Sequence, residues 1–89
     1  MQMKDFEKMS KFHKALGEPL RLRIVDYLMK KGKCTCICEL SKLFGRDQSV
    51  IFRHIQILVD AGVLNTCKDG KYLMCCISDK GKLKRLLGD

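Results

Sequence analysis

Cys34, Cys36 and Cys38 place three soft sulfurs within five residues. If the segment is extended, alternation puts all three on one side; if a helix starts near Cys36, the earlier thiol can swing towards the other two. Either arrangement lets three thiolates converge on one thiophilic ion of the As(III) or Sb(III) type. Lys33 and a nearby helix N-terminus both favour the thiolate. Such an ion is a candidate ligand; nothing in the chain requires a resident cofactor. Cys67, Cys75 and Cys76 form a second group in a stretch rich in β-formers. Adjacent Cys75 and Cys76 point to opposite faces of a strand. They and Cys67 are either small apolar strand residues or thiols that oxidise beside a binding surface and break its fit.

A second constellation is polar. Between residues 47 and 61 the apolar positions Ile51, Ile55 and Leu58 define a buried side, leaving Gln48, Ser49, Phe52, Arg53 and Gln56 facing outward. Gln48 can pair bidentately with adenine, Arg53 with guanine, and Ser49 can bond a base or a phosphate. Phe52 either presses on a thymine methyl or turns inward and packs. Arg46, Lys68 and Lys71, all beside turn residues, are candidates for phosphate contact.

The charge supports that reading. Eighteen Lys and Arg against ten Asp and Glu give +8 in 89 residues. Residues 1–33 carry nine basic and four acidic groups, residues 34–62 three of each, and residues 63–89 six and three. The reading helix is therefore nearly neutral between positive flanks, as suits bases read by neutral groups while helix ends and turns grip phosphates. No apolar run approaches the ~18 residues of a membrane span, and the first residues lack an apolar signal core. A cytoplasmic chain with no membrane partner is expected, with its thiols reduced rather than in a disulfide framework. No Ser/His/Asp or paired-carboxylate arrangement is visible, so an enzyme is not expected.

The elements that position these residues follow from period and punctuation. Asp5 can cap a first helix carrying Phe6, Met9, Phe12 and Leu16, ended by Gly17. Pro19 opens a second, behind Glu18, with Leu20, Ile24, Tyr27 and Leu28 inward. Ile37, Leu40, Leu43 and Phe44 give a short third helix closed by Gly45, and Asp47 caps the fourth. Two short helices across so tight a turn form a helix-turn-helix, about residues 36–61. Val63 to Cys67 and Tyr72 to Ile77 flank Asp69-Gly70, a hairpin signal spanning 63–77. With Asp69-Gly70 as the two-residue turn, Cys67 faces Tyr72 and Cys75 faces Leu64. Asp79 opens a last helix bearing Leu83, Leu86 and Leu87. The order is α-α-α-α-β-β-α: a mainly α, winged helix-turn-helix domain filling residues 1–89.

In this order the motifs resemble the arsenical-resistance and metallothionein repressor family (ArsR/SmtB). Lys14 to Ile24 is similar to the family's opening K-A-L-G-(D/E)-P-x-R-L-x-I, and Cys36 to Leu40 to its C-V-C-(D/E)-L segment. Gln48 to Ile55 falls on its recognition helix, Asp60 to Val63 on its E-A-G-(L/V), and Asp69 to Lys71 on its wing tip. The resemblance implies a homodimeric repressor on an inverted-repeat operator, released by a thiophilic ion. It implies that helices 5–16 and 79–88 dimerise, through Phe6, Met9 and Phe12 with Leu83, Leu86 and Leu87. His54 is placed by it near the DNA backbone, whereas the residue type alone equally fits a hydrogen-bonded core histidine. The family's arsenic sensors carry a third cysteine three residues after C-x-C; that position is Ser41 here, and the spare thiol is Cys34. Two other readings stay open: a repressor of the same fold sensing thiol oxidation or sulfane sulfur, and a zinc-stapled interaction module without a DNA target.

Overall fold

The computed structural model describes residues 3–87. Its elements run α1 (Met3–Ala15), α2 (Pro19–Lys31), β1 (Thr35–Cys36), α3 (Ile37–Phe44), α4 (Gln48–Asp60), β2 (Leu64–Asp69), β3 (Tyr72–Ile77) and α5 (Lys80–Leu87). This is the winged helix-turn-helix architecture expected from period and turn residues, with one strand added.

The core is built by the apolar stripes of the helices. Ile24, Val25 and Leu28 of α2, Ile37 and Leu40 of α3, and Ile51, Ile55 and Leu58 of α4 are all buried, with Val63, Leu64 and Cys75 closing one side. Helix ends follow local chemistry. Pro19 occupies the first turn of α2, and the Glu18 side chain accepts from the Arg21 amide at 3.0 Å. Gly45 takes the left-handed conformation, φ 63°, that lets α3 stop and the chain turn into α4 within three residues. Asp47 is the N-cap residue of α4, without a side-chain cap bond.

Three expectations need correction. Asp5 lies in the first turn of α1 rather than before it. Leu83 is buried within the protomer at 3 % exposure, so it is a core residue and not free apolar surface; the Leu86 and Leu87 side chains lie outside what the structure describes. The hairpin turn is Gly70-Lys71, because Asp69 pairs with Tyr72. Gly70 alone has positive φ there (63°), the pattern of a turn with glycine first, whereas Asp69-Gly70 would have needed Asp69 to adopt positive φ as well. Thr66 therefore faces Cys75 and Met74 faces Cys67. The shift moves each partner by two residues, so every side chain keeps its face.

The added strand, β1, pairs antiparallel with β3, giving sheet order β1-β3-β2. It carries the cysteine segment onto the wing.

Candidate nucleic-acid interface and cysteine cluster

Helix α4 presents the polar face expected of it. Gln48, Ser49, Phe52, Arg53 and Gln56 are exposed, while Ile51, Ile55 and Leu58 are fully buried. Phe52 faces outward at 43 % exposure, which resolves whether it turns into the core. His54 is half-buried, and its Nδ1 lies 3.1 Å from Arg21 Nη1. A guanidinium only donates, so Nδ1 accepts and the proton of the neutral ring sits on Nε2. Arg21 also donates from Nε to the Ala15 carbonyl at 2.6 Å, tying the end of α1 to α2 and α4.

The turn before α4 is fixed by Ser41 Oγ, which donates to the Arg46 carbonyl at 2.5 Å; Arg46 Nη1 reaches the Phe44 carbonyl at 3.3 Å and stays exposed. At the wing, Lys68 and Lys71 are exposed, with the Lys71 ammonium 5.5 Å from the Tyr72 ring centroid. A groove of about 490 Å³ separates helix from wing. It is lined by Gln48, Ser49 and Phe52 of α4, by Lys71 and Tyr72 of the wing, and by Cys36 and Cys38.

Cys34 is disulfide-bonded to Cys76 of β3, and Cys36 to Cys38. Where free thiols are expected from the sequence, four of the six cysteines are paired as two disulfides. No group of three His, Cys, Asp or Glu among the described residues is placed to hold a metal. The reason for the first pairing is register. Thr35 faces Cys75 and Cys36 faces Met74, so Cys34 stands across from Cys76 with the Cα atoms 4.4 Å apart, the spacing of a close antiparallel pair. Cys67 is exposed and Cys75 buried, both as free thiols. Burial, and secondarily Cys67 nearby, pushes the Cys75 thiol up to about 11.

One network had no local signal. Glu39, in the first turn of α3, accepts from Tyr27 Oη and Lys31 Nζ, each at 2.5 Å. The Lys31 hydrogen bond, then that of Tyr27, holds the Glu39 carboxyl below its ordinary value; Glu39 in turn raises both partners. The cysteine segment and α3 are anchored to α2 by this cluster.

Comparison with known proteins agrees with this geometry. Residues 18–66 match the family model described as "Bacterial regulatory protein, arsR family". An uncharacterized HTH-type transcriptional regulator of Methanocaldococcus jannaschii is 32 % identical over 77 residues, 86 % of this chain and 85 % of that one. The arsenical resistance operon repressor of Bacillus subtilis is 34 % identical over 67 residues, covering 75 % of this chain but only 63 % of the repressor. Among solved structures, the homodimeric winged helix-turn-helix DNA-binding domain of a possible ArsR-family regulator from Mycobacterium bovis superposes with a TM-score of 0.83 at 19 % identity. That alignment covers 93 % of this chain and 77 % of the other.

Proposed function

The chain belongs to the arsR family of bacterial regulatory proteins, and from that premise we propose that it is a transcriptional repressor whose operator affinity is set by its cysteines. The family consists of DNA-binding regulators rather than enzymes. Gln48, Ser49, Phe52, Arg53 and Gln56 read bases; Arg46, Lys68 and Lys71 hold phosphates; His54, through Arg21, holds α4 at its angle. One domain covers too little DNA for useful specificity, so two copies act on an inverted repeat. The exposed residues Met3, Phe6 and Met9 of α1 supply apolar surface for that pairing. The complex forms in the cytoplasm, where its DNA lies.

The observation that carries this reading is the shared groove. Cys36 and Cys38 open onto the same space as Gln48, Ser49, Phe52 and the wing residues Lys71 and Tyr72. A chemical change at these sulfurs therefore acts on the DNA-facing surface directly, and it lowers affinity if it favours a different spacing of helix and wing. The signal is thiophilic, of the As(III) or Sb(III) kind, taken by the reduced thiols of the Cys34–Cys38 segment. No membrane partner is needed, and no helix among the described residues is long and apolar enough to cross a membrane.

A second reading, oxidation as the signal, is favoured by the two disulfides, Cys34–Cys76 and Cys36–Cys38. Gel shifts on the gene's own upstream region decide between them. Loss of the complex on adding arsenite to reduced protein supports the ion; loss on mild oxidation, reversed by a dithiol, supports the redox signal. Absence of any specific complex in either state removes the DNA-binding reading.

A further inference from the structure

A second groove borders neither the cysteines nor the DNA-facing residues. Lys11, Lys14 and Ala15 share one face of α1, three and four residues apart, and Ile57 and Asp60 share one face of α4. Together with Arg21 of α2 they line a space of about 380 Å³ at the C-terminal ends of the two helices. Ile57 is a large apolar side chain left 37 % exposed there, and neither core packing nor base reading accounts for it.

We propose that this groove is a binding site for a small organic monocarboxylate with a compact apolar body. Arg21 and the Lys14 ammonium hold the carboxylate, and the body lies on Ile57 and the aliphatic stems of Lys11 and Lys14. The site uses none of the cysteines and none of the side chains that face DNA.

Charge selects the head group. Lys11, Lys14 and Arg21 set three cations against the single carboxylate of Asp60. Among the described residues the ion pairs are Lys30–Asp26 and Lys31–Glu39, so none of these four groups is neutralised by a partner. Arg21 commits Nε to the Ala15 carbonyl and Nη1 to His54 Nδ1, and Nη2 has no acceptor among the described residues. No buried side-chain nitrogen or oxygen among those residues lacks a partner, so Nη2 is open to solvent. A guanidinium already fixed on two sides, with N–H donors to spare, is preset for a carboxylate. Asp60 leaves room for one negative head and repels a second, which favours a monocarboxylate over a dicarboxylate.

The lining selects the body. Lysines lay their stems along apolar surface and keep their ammonium groups at the rim, so Ile57 and two stems make an apolar floor edged by charge. The volume falls within the range of small-molecule sites, about 300–1,000 Å³. A DNA strand is a poor occupant, because Asp60 lies about 18 Å along α4 from Gln48, at the end away from the base-reading side chains. The same guanidinium ties Ala15 of α1 to His54 of α4, so an occupant sits at the joint that sets the angle of α4.

The test uses the full chain labelled with nitrogen-15 and three probes at matched ionic strength: phenylacetate, its neutral analogue phenylacetamide, and sulfate. Phenylacetate is expected to shift the amide signals of residues 11–15 and 57–60 and the Arg21 Nε–H signal, saturating at one site per protomer. Phenylacetamide lacks the charge and sulfate the apolar body, so each should bind at least about tenfold more weakly. Lys14→Gln and Ile57→Glu should each weaken phenylacetate at least about tenfold, whereas Lys42→Gln, an exposed lysine on α3, should change it less than about twofold. Lys14 and Ile57 are exposed, and a Tm within about 2 °C of wild type shows that each variant keeps its fold. Absence of these shifts with phenylacetate up to about 10 mM overturns the proposal. Equal binding of phenylacetamide or sulfate overturns it, as does unchanged affinity in either groove variant. Movement of the same signals on dilution alone, without any probe, assigns the groove to a second copy of the chain and overturns it as well.

Discussion

Arg21 of α2 donates from Nη1 to Nδ1 of His54 on α4 across 3.1 Å, and from Nε to the Ala15 carbonyl at 2.6 Å. One side chain therefore joins three helices, and the helix it orients is the one that faces DNA. The guanidinium fork matters because two donors leave it in fixed directions, which an ammonium cannot reproduce.

Arg21→Ala is expected to destabilise the fold by about 1–3 kcal/mol, the cost of two charge-assisted bonds and of a half-buried His54 left without its donor. Arg21→Lys falls between. Urea unfolding measures the change, and operator affinity should fall with it because α4 loses its strut. An unchanged urea midpoint in Arg21→Ala would show that the bond does not hold α4.

The Tyr27–Lys31–Glu39 cluster makes stability depend on pH at both ends. Glu39 is held below its ordinary 4.5, chiefly by Lys31, so its contribution is full above that value and lost as pH falls through the lowered one. Lys31 and Tyr27 are raised above 10.5 and 10.0, chiefly by Glu39. Their contribution is full below those values and lost as pH rises through the raised ones. The difference in Tm between wild type and Glu39→Gln should thus be flat between about pH 6 and 9 and shrink on either side. A difference that grows on acidification contradicts the assignment.

Cys67 and Cys75 should differ sharply in reactivity. Burial on the core side pushes the Cys75 thiol up to about 11, whereas Cys67 is exposed. At pH 8 iodoacetamide is expected to modify Cys67 and spare Cys75 in the folded protein, and to modify both in urea. Peptide mass spectrometry reads the two sites separately. Equal rates in the folded state would place Cys75 on the wrong face of the sheet.

Gly70→Ala tests the wing turn. The residue has φ 63° and no heavy atom within 4 Å of an added Cβ, so its cost is backbone strain alone, about 1 kcal/mol. Gly81, inside α5 and in ordinary contact with its surroundings, should respond oppositely, with Ala stabilising by about 0.5–1 kcal/mol. Thermal unfolding of both variants gives the signs. Two changes of the same sign would reject the turn assignment.

The helices are legible in sequence because their signals are local: Pro19 behind Glu18, Gly45 at a left-handed stop, and apolar stripes at helical period. What escapes sequence reading depends on distance along the chain. Strand β1 is two residues long and exists only through its pairing with β3. Arg21 and His54 are 33 residues apart, Cys34 and Cys76 are 42, and no spacing rule relates either pair. The wing register differs from expectation because Asp-Gly fits two turn placements, and only the φ signs at Asp69 and Gly70 choose between them. The polar face of α4 is readable in full, since a helix whose buried side is known leaves one side for everything else.

The DNA-facing residues should separate into two groups by their response to salt and sequence. Lys68 and Lys71 are point charges on the wing, suited to phosphates, and Arg46 is similarly exposed at the turn. Replacing Lys68 or Lys71 by Ala should weaken operator and non-operator DNA alike and reduce the salt slope of log K by about 0.9 for each phosphate no longer neutralised. Gln48 and Arg53 project from the N-terminal half of α4, where base edges are reached in the major groove. Their Ala variants should lose about 1–3 kcal/mol on the operator only, keep the salt slope, and relax preference at one base pair each. Fluorescence anisotropy at several salt concentrations, on operator and scrambled duplexes, distinguishes the groups. If Arg53→Ala weakens both duplexes equally and flattens the salt slope, Arg53 is a phosphate contact, and base reading by α4 rests on Gln48 and Ser49.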